Sequence, residues 1–307
     1  MNETLELPVR TSPSINWRGI GSFLVLCFGL TWSIEIIALA RGVRFTVLTP
    51  ATTLLLALVM FIPAASAFVV RRWITREGFA SAGLRFGAVK PYLFIWVGVP
   101  CLFFVIYAVT CTLGLGVFSS ASDSIFKALP PLPPGKHMPS ARTPILLVGI
   151  ISVTIGPLLT SLATFGEEFG WTGYLLPALL PLGRWRAVAI YGVIWGLWHA
   201  PIVAGGFNYP GHPVAGILFM CLFTSALGLI QCALLVRYRS VLLTSFLHAA
   251  INTQARGVWN LLVTGVTPLL GGLLGLVGVA SIAIVGSLLL VRTPVRLNRP
   301  GPTASMR

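Results

Sequence analysis

Acidic residues are scarce in this chain: seven Asp and Glu stand against 21 Lys and Arg in 307 residues, and charged side chains of both signs make up only 9%. With 56% hydrophobic residues and a mean hydropathy of +0.91, too little polar material is left to cover a soluble domain of this length. Cysteine is sparse as well. Cys27, Cys101, Cys111, Cys221 and Cys232 all fall in apolar runs without C-x-x-C spacing, which excludes a zinc cluster or a disulfide scaffold and leaves reduced packing residues. The opening MNETLELPVRTSPSINWRG lacks the basic-apolar-small order of a cleavable signal, so the first apolar run is expected to remain in the mature protein. There is no internal repeat and no second domain.

What is present is long apolar stretches. A spanning helix needs about 20 predominantly apolar residues, and that rule divides the chain into about eight runs, beginning near Ile20, Leu48, Tyr92, Ile145, Ala187, Val214, Val241 and Leu269. The fold class expected is an all-α polytopic membrane protein with the lipid bilayer as its solvent. The polar interruptions are Arg71 to Lys90, the Pro-rich stretch Ser119 to Pro144, and the tail from Arg292. The basic excess has no patch interleaved with aromatics, so nucleic acid is not implied as a partner. It reads as a topology signal. Fifteen of the 21 basic residues fall on one side of an eight-span arrangement, at Arg10–Arg18, Arg71–Lys90, Arg184–Arg186, Arg237–Arg239 and Arg292–Arg307. Arg41, Arg44, Lys127, Lys136 and Arg142 fall on the other, and Arg256 lies within a run. Both termini are therefore expected in the cytoplasm of a multi-pass cell-membrane protein. Trp17, Trp73, Trp96 and Trp185, near run ends, read as interface anchors.

Glu3, Glu6, Glu77 and Asp123 occupy polar segments, which leaves Glu35, Glu167 and Glu168 at membrane depth. A charged residue at the centre of a span costs about 2.5 kcal/mol or more, so each needs a partner, a watery cavity or a task. His199 and His248 also lie in apolar runs, in VIWGLWHAP and TSFLHAAIN, whereas His137 and His212 are in loops. His248 and Asn252 are four apart and share a helix face. Adjacent Glu167 and Glu168 diverge by about 100° on a helix, so one is expected to face a site while the other supports it or faces a different helix. Counted from the flanking arginines, His248 and His199 lie about 14 Å and 20 Å into their helices, a depth at which they can converge with Glu167. A desolvated carboxylate beside an imidazole can activate water, and a second His with an Asn can donate to an oxyanion. Those parts suffice to hydrolyse an amide. Glu35, in LTWSIEIIALA, is read as a hydrogen-bonded or near-interface carboxylate rather than a proton relay.

The set resembles the CPBP family (CAAX proteases and bacteriocin-processing enzymes, also called ABI), intramembrane proteases with the motifs E-E-x-x-x-R, F-x-x-x-H and H-x-x-x-[ND] on successive core helices. Here they stand as EEFGWT at Glu167 to Thr172, WGLWH at Trp195 to His199, and HAAIN at His248 to Asn252. The resemblance implies about eight transmembrane helices with a CAAX-protease-like core. The resemblance covers roughly Thr143 to Asn252, and with the apolar runs it divides the chain into a cytoplasmic segment 1–19, three helices and loops 20–143, a catalytic core 144–262, a last helix 263–291 and a basic tail 292–307. It also implies an intramembrane endopeptidase acting on a membrane-associated peptide or protein, with Glu167 and His199 activating water and His248 with Asn252 forming the oxyanion site. Trp195 replaces the motif's Phe, keeping an aromatic for packing. Thr172 replaces its Arg; it offers Glu168 a hydroxyl but cannot neutralise it. Arg256, one turn beyond Asn252, can supply that charge or snorkel to an interface. A zinc alternative would use Glu167, His199 and His248, but H-E-x-x-H is absent and the histidines lie on different helices, so the expectation is a mechanism without a metal cofactor. The rivals are a non-catalytic membrane scaffold or bacteriocin self-immunity protein and, further off, a proton-coupled transporter, for which repeated halves are missing.

Overall fold

The computed structural model describes residues 15–46, 49–119 and 142–293. The expectations for Glu3, Glu6, Asp123 and His137, for most of the N-terminal segment and the Pro-rich stretch, and for nearly all of the tail fall outside these residues.

Among the described residues three helices begin at a side chain that caps their free N–H groups, two of them near the start of the chain and the third, Val241–Ala255, at Ser240. Helix α1 (Trp17–Ala40) is capped by Asn16, whose side chain accepts from Gly19 N at 2.9 Å. Thr49 and Thr52 form a reciprocal capping box, with Pro50 at the first position of α2 (Pro50–Val59). Helix α3 (Ile62–Val69) runs on through a wide π-turn at Val70–Ile74. Helix α4 (Lys90–Thr112) follows, and a two-residue strand β1 (Val117–Phe118) leaves it.

Helices α5 (Arg142–Val153) and α6 (Ile155–Gly170) form one apolar stretch bent by 52°. Pro157 has no N–H for the Val153 carbonyl, and the Trp96 indole N–H donates to that carbonyl instead. Helix α6 widens into a second π-turn at Trp171–Leu175, then passes through the short α7 (Leu176–Leu179). The later elements are α8 (Arg184–Trp198), the short α9 (Ala200–Ala204), α10 (Pro213–Tyr238), α11 (Val241–Ala255), the short α12 (Trp259–Leu262), β2 (Val263–Thr264) and α13 (Leu276–Arg292). Strands β1 and β2 pair antiparallel.

The described fold is all-α apart from that one strand pair, and it is that of a membrane protein. Among the described residues four helical stretches are long and apolar enough to cross a bilayer: Trp17–Ala40, Pro50–Ile74, Lys90–Thr112 and Pro213–Tyr238. The bent α5–α6 pair makes a fifth if it counts as one span. Helices α8 and α11, with 15 residues each, are shorter than a full span. Val25, Phe94, Phe104, Leu162, Leu218 and Ile284 face outward on these helices, as a lipid-solvated bundle requires.

One boundary expected from the sequence is wrong. The last helix does not begin near Leu269 but at Leu276. Residues 268–275 are apolar by composition, yet Leu269 and Gly272 adopt left-handed φ values of 64° and 67° and fold the segment back against α4.

Core packing is set by small residues. Gly192 and Gly196 on α8 lie against the backbone of Ser225 and Cys221 on α10, where a methyl group at either glycine would collide. Gly166 and Gly170 do the same for α6 against Met60, Phe61 and Pro63. The most extensive helix pairings are α8 with α10, α6 with α11, and α10 with α13, and close backbone approach of this kind is how helices associate in lipid.

Candidate active site

Glu167 and Glu168 stand on the last turn of α6, just before the π-turn, and both are buried. Their environments differ as the 100° divergence requires. Glu167 lines a cavity of about 550 Å³ together with Trp195, His199, His248, Asn252 and Arg256. Glu168 is 0% exposed and turns toward its neighbouring helices.

Around Glu168 the protein supplies donors from three sides. Gln231 of α10 donates its amide to Oε1 at 2.7 Å, and His248 Nδ1 of α11 lies 3.0 Å from the same oxygen. The Thr172 hydroxyl lies 2.9 Å from Oε2 and 2.7 Å from the Thr244 hydroxyl, so Thr244 can donate to Thr172 while Thr172 donates to the carboxylate. Tyr191 OH donates to Gln231 Oε1 at 2.8 Å and fixes the amide's orientation. Three separate side chains thus reach this one buried carboxyl group. Arg256 takes no part in this, contrary to the expectation that it could replace the motif arginine. Its guanidinium lies 5.1 Å from the centre of the Phe207 ring, because the C-cap of α11 carries it past the Glu168 cluster.

Glu167 is held by a residue assigned only packing from the sequence. Trp195 Nε1 donates to Glu167 Oε2 at 3.0 Å, a bond a phenylalanine could not make. The backbone carbonyl of Trp195 in turn engages His199 Nδ1 at 3.0 Å. A carbonyl can only accept, so Nδ1 carries a proton, and in the neutral ring Nε2 is then the lone-pair nitrogen. The Trp198 ring meets His199 edge to face at 4.8 Å and limits its rotation. Glu167 and His199 make no direct hydrogen bond among the described residues; Trp195 ties both to one turn of α8.

His248 is held through Nδ1 by Glu168, with the Trp195 ring 5.4 Å away in a T-shaped contact, and Asn252 lies one turn along α11 on the same cavity. The structure thus gathers Glu167, His199, His248 and Asn252 around one space and puts Glu168 and Thr172 behind it. Gln231 and Thr244 are not singled out by the sequence reading, although Gln231 is a polar side chain deep in an apolar run, the same signal that exposes the glutamates.

Glu35, expected to be hydrogen-bonded or near an interface, makes no side-chain hydrogen bond among the described residues. It is 1% exposed and lines the same cavity. Among the described residues no three His, Cys, Asp or Glu side chains are grouped so as to hold a metal ion.

No curated protein matches this chain. Residues 144–254, the segment that contains all three motifs, match the family model for type II CAAX prenyl endopeptidases, Rce1-like, in agreement with the CAAX-protease resemblance of the sequence.

Proposed function

We propose that this protein is an intramembrane endopeptidase that hydrolyses a peptide bond of a membrane-associated peptide or protein, with Glu167 as general base and no metal. The observation carrying this reading is that a buried carboxylate, two imidazoles and an amide from three helices line one cavity in an apolar bundle. The family match over residues 144–254 supports the reaction class.

A water placed between Glu167 and the Nε2 lone pair of His199 gives a proton to Glu167 as its oxygen adds to the scissile carbonyl. The carbonyl electron pair moves onto oxygen. Asn252 donates to that oxyanion, as does Nε2–H of His248 when the ring carries both protons, paired with Glu168. Collapse breaks the C–N bond, and the proton passes from Glu167 to the leaving amine, which regenerates the base. Glu168, Thr172 and Gln231 act as positioning residues by holding His248. The loops lining the cavity, among them Phe207 to Pro210 and Leu273 to Gly275, lie at the helix ends opposite Arg76 and Arg239, so the site is approached from the side away from those arginines.

The test is cleavage of a quenched membrane-anchored peptide by the full chain in liposomes. Glu167→Gln keeps size and hydrogen bonding and is expected to lower turnover by about a hundredfold or more without loss of folding. His199→Ala is expected to be comparably inactive, and the double variant little worse, because residues acting as one unit are non-additive. If both single variants are folded and cleave at the wild-type rate, the scaffold reading replaces this one.

A further inference from the structure

The cavity contains a carboxylate that neither the hydrolysis nor the packing uses. Glu35 comes from α1, outside the matched segment, and its two oxygens have no donor among the described residues although the residue is almost fully buried. Glu167 lines the same cavity. The ion pairs among the described residues are Arg71 with Glu77 and His248 with Glu168, so no protein cation among them is paired with Glu35 or Glu167. The cavity's arginine, Arg256, stands over Phe207. An unmet buried acceptor is costly, and a charged one more so. Glu35, which has no donor, and Glu167, which accepts from Trp195, together line this cavity with carboxylate oxygens that favour a ligand bearing N–H groups and a positive charge.

We propose that Glu35 is a specificity-determining residue: it accepts the N–H groups of a cationic moiety of the peptide substrate, a lysine or arginine side chain or a free amino terminus. Leu56, Val59 and Met60 line the same cavity and can take the aliphatic stem of a basic side chain while its head meets the carboxylate. The inference rests on the endopeptidase reading and adds a substrate class to it.

The full chain in liposomes is offered membrane-anchored peptides with lysine, norleucine or glutamate at each position around the scissile bond, with free and with acetylated amino termini. The wild type is expected to favour a positive charge at one position by about ten- to a hundredfold in kcat/KM over the neutral equivalent, the range of a charge-assisted hydrogen bond. Lysine scanning and acetylation show which source supplies it. Glu35→Gln is expected to erase the preference while cleaving the norleucine peptides as the wild type does. Glu35→Asp, a shorter carboxylate, is expected to retain part of it. A Glu35→Gln protein with the wild-type lysine-to-norleucine ratio overturns the proposal. So does a uniform fall for all peptides, or a changed pH profile with the ratio intact, since these mark a structural residue or a proton store. Binding of lysine and norleucine peptides to Glu167→Gln, with and without Glu35→Gln, reads the same ratio without cleavage. If the wild type cleaves nothing but binding shows the Glu35-dependent ratio, the endopeptidase reading fails and the cation site stands; if binding shows no ratio, the site fails.

Discussion

Replacing Thr172 by valine exchanges one hydroxyl for a methyl at a fully buried position, where the family motif has an arginine. The hydroxyl lies 2.9 Å from Glu168 Oε2, while Gln231 and His248 both engage Oε1. Valine therefore leaves Oε2 of a buried carboxyl group without its side-chain donor and strands the Thr244 hydroxyl beside a methyl. Such a loss costs about 1–3 kcal/mol, or roughly a 5- to 150-fold shift in the folding equilibrium. Because Gln231 and His248 remain in place, the cavity side of His248 should keep its geometry. Reversible unfolding in mixed micelles is expected to show a lower midpoint with an unchanged slope, and the folded fraction to turn over substrate like the wild type. Thr244→Val added to Thr172→Val should cost less than the sum of the two single changes, since the first has already broken their shared hydrogen bond. An unchanged midpoint would refute the idea that this hydroxyl helps to hold Glu168. Normal stability with lost turnover would refute it differently, by placing Thr172 in the chemistry.

Trp195→Phe keeps an aromatic ring but removes the N–H from Glu167, and kcat in the folded fraction is expected to fall about ten- to a hundredfold; an unchanged kcat would mean that the indole positions nothing. In a cysteine-free background, an impermeant thiol reagent applied from outside is expected to label Lys136→Cys and not Arg76→Cys, and the opposite pattern would invert the topology drawn from the basic residues. Strong chelation is expected to leave turnover intact, whereas loss restored specifically by zinc would favour the metalloprotease alternative.

The site is more legible in the sequence than the boundaries are. Carboxylates and imidazoles in apolar runs are expensive, so their mere presence at Glu167, Glu168, His199 and His248 points to a shared task, and helical spacing separates Glu167 from Glu168. The same test applied to amides would have found Gln231. It could not foresee that Trp195 donates to Glu167, because an aromatic in an apolar run satisfies the pattern by packing alone. Nor could it show that Glu35 lacks a partner, which depends on where α1 docks and not on its own residues. The start of α13 is misplaced for a related reason. Hydropathy counts Leu269 to Gly275 as apolar and is blind to the left-handed backbone that Gly272 permits.

The π-turn at Trp171–Leu175 amounts to one surplus residue spliced into a helix. The Leu176 N–H reaches back to Trp171 O, five residues instead of four, and the widened turn holds Gly173, whose carbonyl accepts from Arg71 Nη2 at 2.8 Å. Arg71 itself stands in the matching wide turn of α3 and also donates to Gly78 O at 2.9 Å. The two turns thus act as a plug and socket that bolt α3 to the helix bearing the glutamates. Loops commonly absorb the loss of a single residue. Here, losing Gly173 would let the backbone close into an ordinary α-helix and would remove the widened turn that offers a carbonyl to Arg71. The local helix would become more regular while the bolt came undone, so a one-codon deletion at this place would damage the site through better secondary structure.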